Sequence, residues 1–188
     1  ISLKDGLLLL DKPEGVSSHD LVSKLRKILG IKSIGHCGTL DPLATGLMVM
    51  LVGEVIIISQ YILEKNKSYE VEFQLGIITD TYDITGKILS EKTVHISEFE
   101  FRQKILNFSG EFEWPVPAYS AVKVNGEKLY ELARAGKTIE NVPVKKMSFF
   151  SLEVLSISSS GRAKVRIHCS KGSFIRSWVY FLGEELGT

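Results

Sequence analysis

Two hydrophobic periods alternate along this chain. Gly6 to Leu10 form a short apolar run that ends in Asp11-Lys12-Pro13-Glu14-Gly15, a composition that turns the chain. Ser17-Ser18 then caps a predicted helix in which Leu21, Val22, Leu25, Ile28 and Leu29 make one apolar stripe, closed by Gly30. Lys24, Arg26 and Lys27 fall on its other face. A loop over 34–46 precedes a buried strand at Leu47 to Val52. Tyr69, Val71, Phe73 and Leu75 alternate with Glu70, Glu72 and Gln74, the period-two mark of a half-buried strand. A polar turn from Thr79 to Gly86 leads to a predicted partner strand at Lys87 to Val94.

Ser97 and Glu100 form a capping box before Phe101, Ile105 and Phe108, so a helix is expected to about Gly110. Ala118 to Val124 reads as a strand, and Gly126 to Gly136 as holding a short helix with Leu129, Leu132 and Ala133 inward. Val165, Ile167 and Cys169 alternate with Lys164, Arg166 and His168. That strand leads through Ser170-Lys171-Gly172 into a helix carrying Phe174, Ile175, Trp178, Val179 and Leu182. Strands with interspersed, non-alternating helices predict an α+β fold with a mixed, mostly antiparallel central sheet flanked by helices. Gly and Pro are spread evenly and no linker or repeat divides the chain, so a single domain is expected.

Composition narrows the class. With 188 residues, 44% hydrophobic and 24% charged, the chain can bury a sizeable core. Its richest apolar run, Leu43 to Leu63, is broken by Gly46, Gly53 and Glu54, short of the ~18 uncharged residues of a membrane span. The first residues lack the basic and apolar regions of a secretory signal. Cys37 and Cys169 lie far apart with no C-x-x-C pair, against a disulfide scaffold or zinc knuckle. A cytoplasmic protein without membrane partner, metal or cofactor is therefore expected.

The unusual chemistry lies in Gly35-His36-Cys37-Gly38-Thr39-Leu40-Asp41-Pro42-Leu43-Ala44-Thr45-Gly46. Its glycines allow close backbone approach to a ligand, and Pro42 keeps Asp41 extended. A carboxylate held at the edge of a rigid strand can act as nucleophile or base. Taken alone, the same Asp-Pro pair equally makes an Asx-turn.

The whole string resembles the motif of the TruB family of tRNA pseudouridine synthases. So do Leu9-Leu10-Asp11-Lys12-Pro13-Glu14-Gly15-Val16-Ser17-Ser18, Lys67-Ser68-Tyr69, Leu75-Gly76 with Thr79-Asp80-Thr81 and Asp83, Pro117-Ala118-Tyr119-Ser120-Ala121-Val122-Lys123, and Ser170-Lys171-Gly172-Ser173-Phe174-Ile175-Arg176-Ser177. The six motifs follow the family's order. The resemblance implies the pseudouridine synthase catalytic fold and isomerisation of the tRNA T-loop uridine at position 55. The uracil bond to ribose would be cleaved at N1 and remade at C5, after the base is flipped from the folded RNA.

By the same resemblance Asp41 is the nucleophile, with attack on ribose C1′, attack on uracil C6 or action as a base at the sugar all left open. Arg176 holds that carboxylate ionised and in place. Tyr69, otherwise read as plain core, stacks on the flipped uracil, a contact worth roughly 1–3 kcal/mol. His36 helps to occupy the space the uridine leaves, and Lys12 and Asp80 support the site by hydrogen bonding. Three positions depart from the family pattern. Ile57 stands where a basic residue is usual, Tyr82 where Gly is usual, and Phe174 where Tyr is usual.

Charge must be read by location. The net of +1 argues on its face against nucleic acid, but residues 1–120 carry 12 Lys/Arg against 16 Asp/Glu, and residues 121–183 carry 11 against 4. The surplus coincides with Lys123 to Lys146, which matches the family's inserted RNA-binding loop. Lys123, Lys128, Arg134, Lys137, Lys145 and Lys146 are candidate phosphate contacts, though each singly is equally a solvated charge. The resemblance implies a catalytic domain over 1–188 whose natural end lies beyond Thr188, with the family's C-terminal PUA domain outside these residues. It also implies a monomer that binds the tRNA T-arm without an obligatory protein partner. A guide-RNA-dependent relative and a tRNA-folding chaperone without turnover remain as alternatives.

Overall fold

The computed structural model describes residues 5–137, 139 and 141–188. The chain divides into two compact units, Ile1–Lys65 and Asn66–Thr188, each with its own core.

In the first unit β1 (Gly6–Lys12) pairs antiparallel with β3 (Gly46–Val52), which pairs on its other edge with β2 (Ile34–His36). Helix α1 (Ser18–Leu29) covers one face. It begins at the expected cap, where Ser17 and Asp20 exchange hydrogen bonds, and ends at Gly30, whose φ of +68° is left-handed. Leu21, Val22 and Leu25 pack with Ile34, Met48, Met50 and Val52, while Leu8 and Leu10 close the same core. Alternation along β1 puts Lys12 on this inner face as well, and it is fully buried. Ile28, expected in the stripe, is exposed in the last turn of α1. A 3₁₀ turn (Gly53–Ile58) and short α2 (Ser59–Leu63) end the unit.

The second unit is built on a four-stranded antiparallel sheet in the order β4 (Lys67–Gln74), β11 (Arg162–Cys169), β10 (Val144–Ile157) and β7 (Gly110–Pro115). Two further ladders, β5 (Ile77–Thr79) with β6 (Ile88–Glu91) and β8 (Lys123–Val124) with β9 (Glu127–Lys128), stand apart as hairpins. Helices α3 (Glu98–Asn107) and α5 (Ile175–Glu185) pack on the apolar face through Phe101, Ile105, Trp178 and Leu182. The Trp178 indole N–H donates to the Phe108 carbonyl at 2.9 Å, tying α5 to the end of α3. Short α4 (Leu129–Arg134) buries Leu129.

The predicted α+β class with antiparallel pairing is what the structure has. Several local expectations change, among them the 34–46 loop, whose first residues Ile34–His36 form β2. The strand after the polar turn pairs with β5 and not with the 69–75 strand, because Gly76, at φ +86°, turns the chain out of β4. That leaves β11 as the partner of β4. Of Ala118 to Val124 only Lys123–Val124 is strand, since the Tyr119 and Ser120 carbonyls accept from Arg176 and from the Tyr130 amide instead. Strands β7 and β10 come from segments in which no strand is predicted.

Candidate active site

Asp41 sits half-buried in the loop between β2 and β3, and that loop is held from beneath by its main chain. Lys12 reaches from the end of β1 and donates to the Pro42 carbonyl at 3.0 Å, the Ala44 carbonyl at 2.6 Å and its neighbour Pro13 at 2.9 Å. Burial pushes the Lys12 ammonium below its usual pKa, opposed by the nearby carboxylates of Asp41 and Glu14. Gly15 N–H donates to the same Pro42 carbonyl at 2.8 Å. Before Asp41, the buried Ser18 hydroxyl donates to the Leu40 carbonyl at 3.1 Å and accepts from the Leu40 amide at 3.0 Å. The Ala44 amide closes a turn onto the Asp41 carbonyl at 3.0 Å. Asp41 is thus flanked on both sides by residues whose backbone is fixed to β1 and α1.

At the start of the loop, His36 Nδ1–H donates to the Gly38 carbonyl at 2.7 Å. The Cys37 amide donates to Val49 at 2.8 Å, and the Cys37 side chain is buried.

In the second unit Tyr69 stands on the inner face of β4, opposite Ile167 of β11, partly buried against the core. Arg176 opens α5. Its Nη1 donates to the Thr81 carbonyl at 2.8 Å and lies 3.7 Å from Asp83 Oδ2, and its Nη2 donates to the Tyr119 carbonyl at 3.0 Å. Both side chains of the Arg176–Asp83 pair are about nine-tenths buried, with 11% and 12% exposed. Asp83 organises its own turn, since Oδ1 accepts from the Thr81 hydroxyl and the Thr85 amide, each at 2.9 Å. Asp80 accepts from the Lys87 amide at 2.8 Å and from the Tyr119 hydroxyl at 3.4 Å.

Asp83 carries no assigned role in the sequence analysis and Ser18 is read there only as part of a helix cap, although both fall inside quoted motifs. The signal for Asp83 is a third polar side chain in Thr79-Asp80-Thr81-Tyr82-Asp83, more than a turn alone requires.

The basic segment is exposed and partly paired. Lys128 lies 3.9 Å from Glu131, Lys137 3.5 Å from Glu127 and Lys146 2.7 Å from Glu111. Lys128 and Arg134 flank the Tyr130 ring at 5.3 and 5.5 Å. Lys123 projects from the β8–β9 hairpin, which turns at Asn125-Gly126 with φ of +52° and +88°. Exposed pairs of this kind are weak and yield to a stronger anion. Among the described residues no three His, Cys, Asp or Glu are grouped to hold a metal ion, and no helix is long and apolar enough to cross a membrane.

Residues 26–175 match the TruB family pseudouridylate synthase (N terminal domain). The chain is similar to tRNA pseudouridine synthase B of Bdellovibrio bacteriovorus, 49% identical over 184 residues, covering 97% of this chain and 59% of that protein. It is 40% identical over 190 residues to the Geobacillus thermodenitrificans protein of the same name, covering 97% and 63%. Against the one from Endomicrobium trichonymphae it is 44% identical over 183 residues, covering 97% and 79%. Among solved structures it resembles a chain of a Cbf5-Nop10-Gar1 complex, with a TM-score of 0.73, 26% identity and coverage of 99% and 46%. A chain of an H/ACA RNP bound to a substrate RNA containing 2'-deoxyuridine shares the fold, with a TM-score of 0.70, 23% identity and coverage of 99% and 44%. The chain therefore spans about 60% of the length of the first two curated relatives.

Proposed function

The chain belongs to the TruB family of pseudouridylate synthases, and from that premise we propose that it isomerises a tRNA uridine, position 55 of the T-loop, to pseudouridine. The observation that carries this reading is the Asp41 loop. Its backbone is fixed through Lys12 and Ser18, which suits a carboxylate that must meet one flipped nucleotide in one pose.

In this reading Asp41 is the nucleophile and Tyr69 the stacking platform, and Arg176 supplies the guanidinium that keeps the carboxylate ionised. His36 acts in base flipping. Lys12 and Asp80 hold the loop and the turn. Lys123, Lys128, Arg134 and Lys137 contact T-arm phosphates, exchanging weak surface partners for stronger ones. The protein works as a monomer on cytoplasmic tRNA, with no cofactor.

The test is tritium release from tRNA transcript labelled at C5 of uridine, using the intact protein. Wild type releases tritium without added protein or guide RNA, and Asp41→Asn releases none while still binding the transcript. Product from Asp41→Asn overturns the nucleophile assignment. The solved neighbour from a Cbf5-Nop10-Gar1 complex, 26% identical, favours a second reading, that of a relative that needs partners beyond the tRNA. The higher identity to tRNA pseudouridine synthase B supports the stand-alone one, and absence of turnover on bare transcript would reverse that preference.

A further inference from the structure

Helix α5 meets the 80–86 turn at two successive points. Arg176 and Tyr180 are four residues apart and so share one helix face. Arg176 binds the turn through the Thr81 carbonyl and the Asp83 carboxylate. Between those two residues, Tyr82 turns its ring onto Tyr180, with centroids 4.1 Å apart and planes inclined by 14°. The contacts from Thr81, Tyr82 and Asp83 therefore fall in register on Arg176, Tyr180 and Arg176 again.

The turn is hydrogen-bonded within itself at Asp80, Thr81, Asp83 and Thr85, so what has to come from outside is its attachment to α5. It joins β5 and β6, which pair with each other and with no other described strand, and a lone two-stranded ribbon is marginal. Its tip residue Ile84 is 89% exposed. Asp80 is tied to Tyr119 by a long 3.4 Å hydrogen bond. Tyr82 also holds a φ of +60°, a left-handed conformation that a residue with a β-carbon adopts only where its surroundings enforce it. A ring placed at such cost to the backbone, and stacked on the arginine's own helix, is suited to fix that turn.

We propose that the Tyr82–Tyr180 stack is a positioning device for Arg176: it clamps the turn to α5 so that Thr81 and Asp83 hold the guanidinium in one orientation. The proposal rests on the reading of Arg176 as a working group in uridine isomerisation. Tyr82 and Tyr180 act through Arg176 and are positioning residues.

The experiment compares Tyr180→Ala, Tyr180→Phe and Tyr82→Gly in the intact protein. Two readouts are taken: steady-state kinetics on tRNA transcript, and the nitrogen-15 NMR signal and hydrogen exchange of the Arg176 Nε–H. Tyr180→Ala is expected to lower kcat roughly tenfold to a hundredfold, with KM within about twofold, and to speed exchange at Arg176. Tyr180→Phe keeps the ring and restores both readouts. Tyr82→Gly tolerates the positive φ and so guards against misfolding, yet it loses the ring and is expected to behave like Tyr180→Ala. Wild-type kcat and an unchanged Arg176 signal in Tyr82→Gly or in folded Tyr180→Ala would overturn the proposal. If the wild-type protein turns over no tRNA uridine, the functional reading fails by itself, and the Arg176 signal alone then decides whether the clamp exists.

Discussion

Ser18 and Leu40 are joined twice, the serine hydroxyl donating to the leucine carbonyl and accepting from its amide. This places the residue before Asp41 under the control of the first turn of α1. Ser18→Ala leaves both Leu40 groups unmatched at a site where Ser18 is only 3% exposed. The expected loss is about 1–3 kcal/mol of stability, read as a lower urea midpoint at unchanged slope. A larger proportional fall in tritium release than in tRNA binding should accompany it, since the loop would loosen next to its carboxylate.

Gly86 is required by space. A β-carbon there would collide with the Thr81 hydroxyl and come within 2.6 Å of the Asp80 carboxylate and 2.9 Å of the Thr79 β-carbon. Gly86→Ala must therefore push apart the turn that holds Asp83, at a cost of about 1–3 kcal/mol. Urea denaturation and the Arg176 Nε–H exchange rate should both register it. A variant of wild-type stability would show that the turn is softer than its packing indicates.

Tyr82 gives a pH signature. Burial, then the neighbouring Tyr180, pushes its hydroxyl up to about 12, against the ordinary tyrosine value of 10.0. The raised value means that the folded state keeps the proton after the unfolded chain has lost it. The unfolded state thus binds fewer protons between pH 10 and 12, and stability falls as pH rises through that window. Ultraviolet titration at alkaline pH should resolve one tyrosine ionising near 12 that is missing in Tyr82→Phe. If both proteins titrate identically, the ring is not buried as described.

How much of this was legible in the chain depends on the range of the interactions. Local signals read true: the Ser17 cap, the Gly30 stop and the alternation from Tyr69 to Phe73 depend only on neighbours in sequence. Strand β10 was hidden because its ladder with β11 shifts register between Phe149 and Ser151 and again between Val154 and Ser156. Each shift breaks the period of two that betrays a strand. Strand β7 did alternate, Phe112 and Trp114 against Glu111 and Glu113, but six residues beside a predicted helix end were too few to stand out. At the site, the motif strings marked Asp41, Tyr69 and Arg176 only through resemblance. The resemblance also marked Lys12 and Asp80 as supports, but the partners of Lys12 and Arg176 were invisible, because Lys12 meets Pro42 across 30 residues and Arg176 meets Thr81 across 95.

Neutralising the basic segment should change binding in a graded way. For each of Lys123, Lys128, Arg134 and Lys137 that contacts a phosphate, substitution by Gln should lower the slope of log affinity against log salt by roughly 0.7–0.9. The loss should be similar for any folded tRNA, since phosphate contacts carry no sequence information. Filter binding across a salt series measures both. An unchanged slope in the fourfold variant would remove this surface from the RNA interface.

The described hydrogen bonds by which Lys12 grips the Asp41 loop go to main-chain carbonyl oxygens. Every residue type offers the same carbonyl, so the anchor is indifferent to which side chains stand at positions 42 to 44. The side chains at these positions can therefore be rewritten, by drift or by an engineer, without surrendering the hydrogen bonds that hold the loop in place.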